Sequence, residues 1–410
     1  MTATASVIVV SRNRPDFLTR CLTGIEQLSH PAFEVIVVAD PAGLSALRDA
    51  GFGQRVVIAE FDTPNISAAR NVGLGLAAGD LVAFIDDDAV PEPTWLDHLT
   101  APFSDPTVMA AGGYVIGRNG ITLQHLGRRV DRTGAHAPLP LAGTAPQVFA
   151  GSPGQGIKTE GTNCAFRAEV LRRIGGFDPS YRFYLDETDV NLRLAALGHR
   201  TAIVPLAQVH HGVAPSVYRR ADRMPRNLTE IGASQTVFLR RHAADIAHDP
   251  VLDEMRRDQR ARLLRHMVAG TCEPRDVARL LKTLEAGFAE GRARSLPVLS
   301  PLPHPTRAFT AFVPRTRFTE TRTLSGRTWS AAARRRAAME SVRNGARTTL
   351  YLFGFTTLRH HVRFRDEGFW EQSGGLFGKS KRSDPNFRPI NFTNRLQRER
   401  DRTADVRIVA

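Results

Sequence analysis

The chain is short of cysteine, of lysine and of long apolar runs. Its three cysteines, Cys21, Cys164 and Cys272, are far apart and odd in number, so neither a disulfide framework nor a zinc site is indicated. They read as small core residues. No stretch reaches the roughly eighteen apolar residues of a membrane span, and Met1 to Ser6 has no signal-peptide shape. The expected location is therefore the cytosol. No internal repeat is present. Lysine supplies only four of the 55 basic residues. Arginine suits bidentate phosphate binding, although a genome-wide composition bias gives the same excess.

A hydrophobic share of 42% is ample for a core, and 410 residues point to two or three domains. The formal charge of +14 is unevenly spread: residues 1–215 carry 17 Lys+Arg against 21 Asp+Glu, a net of −4, and residues 216–410 carry 38 against 20, a net of +18. The basic surface belongs to the second half.

The stretch that organises the chain is Leu81-Val82-Ala83-Phe84-Ile85 followed by Asp86-Asp87-Asp88. Five apolar residues read as a buried strand, and the acids must sit at its mouth because burying an unpaired carboxylate is costly. Side chains alternate along extended backbone, so Asp86 and Asp88 share one side and Asp87 points away. Two hard oxygen ligands facing one spot suit a divalent cation, Mn2+ or Mg2+; a solvated acidic turn is the plain alternative.

Upstream, Ser6 to Val10 reads as a strand broken by Ser11-Arg12-Asn13-Arg14-Pro15. A helix with an apolar stripe from Phe17 to Leu28 follows, then a second strand, Phe33 to Ala39, ending at Asp40. This is a right-handed βαβ unit, so Asp40 lies on the same sheet edge as Asn13. Arg55 to Glu60 reads as a third strand and Asn65 to Ala78 as a helix stopped by Gly79-Asp80. The expected fold class is α/β: a doubly wound, mostly parallel sheet with the aspartates at its carboxyl edge.

These residues carry a resemblance. Val7-Ile8-Val9-Val10-Ser11-Arg12-Asn13-Arg14, Val37-Val38-Ala39-Asp40, Asn65-Ile66-Ser67-Ala68-Ala69-Arg70-Asn71-Val72-Gly73 and Phe84-Ile85-Asp86-Asp87-Asp88 come in order. Gly161-Thr162-Asn163-Cys164-Ala165-Phe166-Arg167, Gly175-Gly176-Phe177-Asp178 and Leu185-Asp186-Glu187-Thr188-Asp189 complete the series. Over roughly its first half the chain resembles the family 2 inverting glycosyltransferases of GT-A fold. The resemblance implies a nucleotide-diphospho-sugar donor. Ser11, Asn13, Arg14 and Asp40 would lie at the nucleotide, Asp86 at the ribose and metal, and Asp88 at the metal. Asp87 would be a supporting or solvated acid beside the same site, and Arg70 a phosphate contact or a helix-surface ion pair.

The acceptor hydroxyl needs a base. The family pattern here reads Glu-Asp with the second acid as base, whereas this chain reads Asp186-Glu187. Glu187 is assigned as general base and Asp186 as the acid that orients acceptor or base, with the reversed roles left open. Asp189 is a helix-start acid, and an acidic first turn of a helix Val190 to Leu197 is the structural alternative. After a strand from Thr201 to Pro205, the family's histidine position falls on His210, with His211 in reserve, as a third metal ligand.

Three units are expected: a glycosyltransferase domain over residues 1–215, a helical appendage over 216–295, and a basic C-terminal extension over 296–410 that opens on a Pro-rich linker. In the extension, Ser330 to Leu352 reads as a helix, Gly368 to Gly378 as a Gly-aromatic loop and Arg395 to Ala410 as a frayed tail. The expected function is transfer of a sugar to a saccharide or lipid-linked hydroxyl in surface polysaccharide or glycolipid synthesis. An aspartate phosphatase wants Thr or Ser where Val90 stands. A degenerate scaffold that binds membrane or nucleic acid is the non-enzymatic alternative, and the retained acids speak against it. The basic half, through Arg334-Arg335-Arg336 with Phe369 and Trp370, is expected to touch an anionic cytoplasmic leaflet. Nucleic acid is disfavoured, as no zinc finger or RNA-binding aromatic signature is present.

Overall fold

The computed structural model describes residues 3–408. The first strand, β1 (Ala5–Ser11), shows how the core is divided. Alternation sends Val7 and Val9 to one face, among Leu18, Cys21, Leu22 and Ile25 of α1 (Pro15–Ile25), and Ile8 to the other, beside Ala69 and Leu74 of α3 (Ile66–Leu76). With helices on both faces, β1, β2 (Phe33–Ala39) and β4 (Leu81–Asp86) are buried on both sides, and each buried Val or Ile contributes about 1.5–3 kcal/mol. The helix α2 (Pro41–Asp49) and the edge strand β3 (Val57–Glu60) complete the parallel run.

Beyond β4 come β5 (Ala89–Pro91), α4 (Trp95–Thr100), β6 (Val108–Ile116), and the short strands β7 (Leu123–His125), β8 (Arg128–Asp131), β9 (His136–Pro138), β10 (Gln147–Ala150) and β11 (Gln155–Lys158). Then follow β12 (Cys164–Arg167), α5 (Ala168–Arg173), α6 (Asp186–Ala196) and β13 (Arg200–His211). The main sheet runs β10-β13-β6-β12-β4-β1-β2-β3, with β5 on β13 and β7 on β6. A separate sheet, β11-β8-β9, lies over α6. The expected doubly wound, mostly parallel sheet is present, and the third strand starts at Val57 rather than Arg55. The strand expected at Thr201–Pro205 runs on to His211, because it pairs first with β6 and then with β5.

Three helices, α7 (Thr229–His242), α8 (Asp249–Val268) and α9 (Pro274–Ala293), pack around a core that includes Leu239, Leu263, Leu280 and Phe288. The proline-rich segment then runs extended along the first unit. Arg307 Nη1 meets Glu34 Oε2 at 2.8 Å, and Arg315 Nε meets Glu26 Oε2 at 2.8 Å.

The C-terminal extension departs from its expectation. Its helix α10 (Ala331–Arg343) stops early, and the residues read as its second half and as a Gly-aromatic loop build a sheet. That sheet comprises β14 (Glu320–Gly326), β15 (Ala346–Gly354), β16 (His361–Phe364) and β17 (Trp370–Gly375), in the order β14-β15-β17-β16. The physical cause is the run Thr348 to Phe353, β-branched and aromatic and buried on both faces, which a strand accommodates better than a helix. The tail expected to fray is α11 (Phe392–Arg407), with Arg395 and Glu399 fully buried; Val409 and Ala410 lie outside the described residues. The expected membrane anchors are also corrected. Phe369 and Trp370 are 1% and 2% exposed, Trp370 packs on His210, and Arg335 Nε is held 2.7 Å from Glu371 Oε2. Much of the positive charge thus faces acids inside the molecule. None of the described helices is long and apolar enough to cross a membrane.

The tail closes on the first unit through a buried ion pair. Arg407 donates from Nε and Nη2 to Glu92, both at 2.7 Å, and its guanidinium lies 4.1 Å from the centre of the Trp370 ring. Burial opposes the Glu92 charge, but Arg407 and then His210 hold its pKa down to about 2. Arg407→Ala strands that carboxylate and is expected to lower unfolding free energy by about 3 kcal/mol in urea titration. The pair's contribution is full above the unfolded glutamate pKa of about 4.3 and is lost as pH falls through the folded value. An unchanged midpoint would detach the tail from the stability of the molecule.

Candidate functional site

The carboxyl edge gathers the sequence's polar positions because parallel pairing sets Asp86 opposite Val10 and Ser11 opposite Ala39. Asp86, Asp88 and His211 offer ligand atoms within 4.8 Å of one another, the one such trio of acid and imidazole groups among the described residues. His211 Nε2 is 3.2 Å from Asp88 Oδ1. Antiparallel pairing brings them together: His211 lies opposite Ala89, the residue after Asp88. The same alternation sends His210 to the other face, where its Nε2 meets Glu92 Oε1 at 2.7 Å. The imidazole that faces the two carboxylates is therefore His211, and His210 braces the tail.

The donor set of two carboxylates and one imidazole fits Mn2+ well and Mg2+ less well. Asp88 Oδ2 is also bound by the Ala214 amide at 2.7 Å and approached by Arg14 at 3.4 Å and Arg219 at 3.5 Å. Burial works against the Asp88 charge, yet His211, Arg14 and the Ala214 amide hold its pKa well below the usual carboxylate range. Asp87 turns away, as alternation requires. It is buried beneath the site, accepts from Ser11 Oγ at 2.7 Å and pairs with Arg14 Nη2 at 2.6 Å; burial pushes it up to about 7 against the pull of Arg14. Ser11, Asp87 and Arg14 together fix the floor below the metal position.

A cleft of about 730 Å³ opens over these groups, with Ser11, Asn13, Arg14, Asp86, Asp88 and His211 in its wall. Arg12, Arg219 and Arg226 add positive charge, and the stacked pair Phe183–Tyr218, with ring centres 4.4 Å apart, adds a flat apolar side. Asn13 holds φ of 58° at the turn after β1, and in the amide orientation that satisfies its neighbours it donates to Asp40 Oδ2 at 3.2 Å. Asp40 also accepts from the Gly43 amide at the start of α2, so it lies behind Asn13 rather than on the cleft wall.

The sequence signature of Glycosyltransferase like family 2 matches residues 3–228, more than half of the chain and all of this site. The chain belongs to this family. Among curated relatives it is 30% identical over 238 residues to the O-antigen biosynthesis protein RfbC of Myxococcus xanthus, covering 55% of this chain and 18% of that protein. It is 30% identical over 210 residues to the pre-mycofactocin glycosyltransferase of Mycobacterium tuberculosis, covering 50% and 42%. The family 2 chain thus spans less than half the length of these relatives. Among solved structures it is similar to the mannosyltransferase PcManGT from Pyrobaculum calidifontis in complex with GDP-Man and Mn2+. That likeness has 21% identity and a TM-score of 0.42, and covers 73% of this chain and 78% of that one.

At the inner side of this family 2 site lie the paired acids. Asp186 opens α6 after two residues in the left-handed region, Tyr184 at φ 77° and Leu185 at φ 68°. Such conformations cost free energy in non-glycine residues and cluster where a side chain must be aimed. Arg70 joins this corner to the metal corner: Nη1 bonds Asp186, Nη2 reaches Asp86 Oδ1 at 3.2 Å and the Gly161 carbonyl at 3.0 Å. A side chain at Gly161 would lie 2.6 Å from Arg70 Nη2, which accounts for glycine there. Arg70 is 3% exposed and engaged by both acids and the Gly161 carbonyl, so it is not a surface ion pair but a strut between two acidic corners.

Lys158, the last residue of β11, went unassigned from sequence; its Nζ lies 2.5 Å from Glu187 Oε1 and 2.8 Å from Thr188 Oγ1. Burial opposes the Glu187 charge, but Lys158 pulls its pKa to about 2; burial pushes Asp186 to about 7 despite Arg70. Burial thus raises the Asp186 carboxyl, while Lys158 favours the charged form of Glu187. The lone lysine of an arginine-rich first half was the available signal for Lys158. Arg219 and Tyr218 lie in an irregular segment with no such signal.

Proposed function

We propose that the protein is an inverting, metal-dependent hexosyltransferase that moves a sugar from a nucleotide-diphospho-sugar to a hydroxyl of a saccharide or lipid-linked acceptor. The observation that carries this reading is the meeting of Asp86, Asp88 and His211 in one arginine-lined cleft, with the Asp186–Glu187 pair tied to it through Arg70. Asp86, Asp88 and His211 would hold Mn2+ or Mg2+, which supplies positive charge to a leaving diphosphate without proton transfer. Ser11, Asn13 and Arg14 face the nucleotide, with Asp40 orienting Asn13 from behind. Arg12, Arg219 and Arg226 add charge for the phosphates. Glu187 accepts the acceptor proton as the new bond to the anomeric carbon forms on one face and the bond to the diphosphate breaks on the other. Inversion follows from that single displacement.

Synthesis of a surface polysaccharide or glycolipid is the setting supported by the O-antigen relative. Heating the protein with a panel of UDP- and GDP-sugars, with and without Mn2+, tests the reading. At least one donor is expected to raise the melting temperature in the presence of Mn2+ and to lose most of that effect with EDTA. Protection by none of them, or protection indifferent to metal, would overturn it.

A further inference from the structure

The small C-terminal sheet presents an exposed aromatic edge. Its parallel strands β14, β15 and β17 run out at the same edge, where Gly326 lies opposite Leu352 and Gly354 opposite Gly375. The loops leaving that edge carry Trp329, Phe355 and Leu358, which are 73%, 61% and 68% exposed. Trp329 and Phe355 stack with ring centres 6.1 Å apart, and the Arg327 guanidinium lies 4.1 Å from the Phe355 ring centre. Backbone bonds from Phe377 to Thr356 at 3.1 Å and from His360 to Lys379 at 3.0 Å tie residues 355–360 to the segment that follows β17. That segment carries exposed Lys381, Arg382 and Phe387, the last packed on Phe377, and the loop it is tied to carries exposed Arg359. Its acid, Asp384, is already engaged by Arg398 at 2.5 Å and by the Ser380 and Lys381 amides.

Scattered exposed apolar residues are ordinary, but a stacked aromatic pair with a neighbouring leucine, rimmed by cations whose local acid is neutralised, is not. Tryptophan settles at the headgroup level of a bilayer, and arginine and lysine reach from there to anionic phosphates. We infer that this edge docks on an anionic lipid bilayer and holds the protein peripherally at a membrane. The inference is independent of the donor chemistry, since it can be tested without substrate and uses no residue of the cleft.

The chain's three tryptophans make the test direct: Trp95 and Trp370 are 0% and 2% exposed, so Trp329 is the one that a membrane can reach. The full chain is mixed with phosphatidylcholine vesicles, with or without an anionic phospholipid, and followed by co-sedimentation and intrinsic fluorescence. Expected are sedimentation with the anionic vesicles at low salt, release at high salt, and a blue shift of emission on binding. Trp329→Ser with Phe355→Ser, and separately Lys381→Gln with Arg382→Gln, are expected to weaken binding by about tenfold or more without altering circular dichroism. A protein that stays in the supernatant, binds anionic vesicles equally well in either variant, or shows no shift overturns the inference. So does self-association through this edge, or binding of RNA in place of lipid.

Discussion

Replacing Asp88 with alanine is expected to weaken metal-dependent binding of the nucleotide-sugar by about a hundredfold or more, beyond the cost of disturbing a group that merely supports a metal ligand. Asp88 is the hinge of the metal corner: Oδ1 faces His211 and Oδ2 takes the Ala214 amide and two arginines. It is 6% exposed, so the change is not free of structural cost. The stranded Ala214 amide takes away about 1–3 kcal/mol, and relief of repulsion among Asp86, Asp87 and Asp88 returns part of it. Asp88→Asn keeps an oxygen for that amide while removing the charge, which separates folding from metal binding. Calorimetric titration of UDP- and GDP-sugars with and without Mn2+ decides the matter. A metal dependence unchanged in both variants would remove Asp88 from the site.

Glu187→Gln is expected to leave donor affinity nearly unchanged and to lower turnover by about a hundredfold or more, the loss typical of a missing general base. Lys158 supplies the sharper readout. It draws the Glu187 pKa to about 2. With Lys158→Met that pull is lost and the carboxyl rises. Turnover at neutral pH should then fall and recover as the solution is made alkaline, moving the acidic limb of the kcat profile upward. A merely structural lysine would lower activity evenly across pH. If Asp186→Asn is the inactive variant and Glu187→Gln is active, the two acids exchange roles.

These experiments probe different parts of one connection. The strand β13 presents His211 to Asp88 on one face and His210 to Glu92 on the other, and Glu92 is bound by Arg407, near the far end of the chain. The C-terminal extension is thus packed directly behind the metal corner. Basic residues that looked free in the second half are partly spent on Glu26, Glu34, Glu92 and Glu371 of the folded molecule.

The sequence by itself determined the parallel sheet, the placing of Ser11, Asn13, Asp40 and Asp86 at its carboxyl edge, and the turning away of Asp87, because those follow from apolar runs, the period of two and the handedness of βαβ units. Adjacent residues on a strand differ by half a turn, so choosing between His210 and His211 required the pairing of β13 with β5, a contact between segments more than a hundred residues apart. The roles of Arg70 and Lys158 were decided the same way, since an arginine on a helix and a lysine at a strand end acquire meaning only from the carboxylates packed against them. The C-terminal sheet was hidden for a related reason. Its strands are buried by long-range pairing, and an Arg-rich helix running into a β-branched segment has no local signal strong enough to mark where one ends and the other begins.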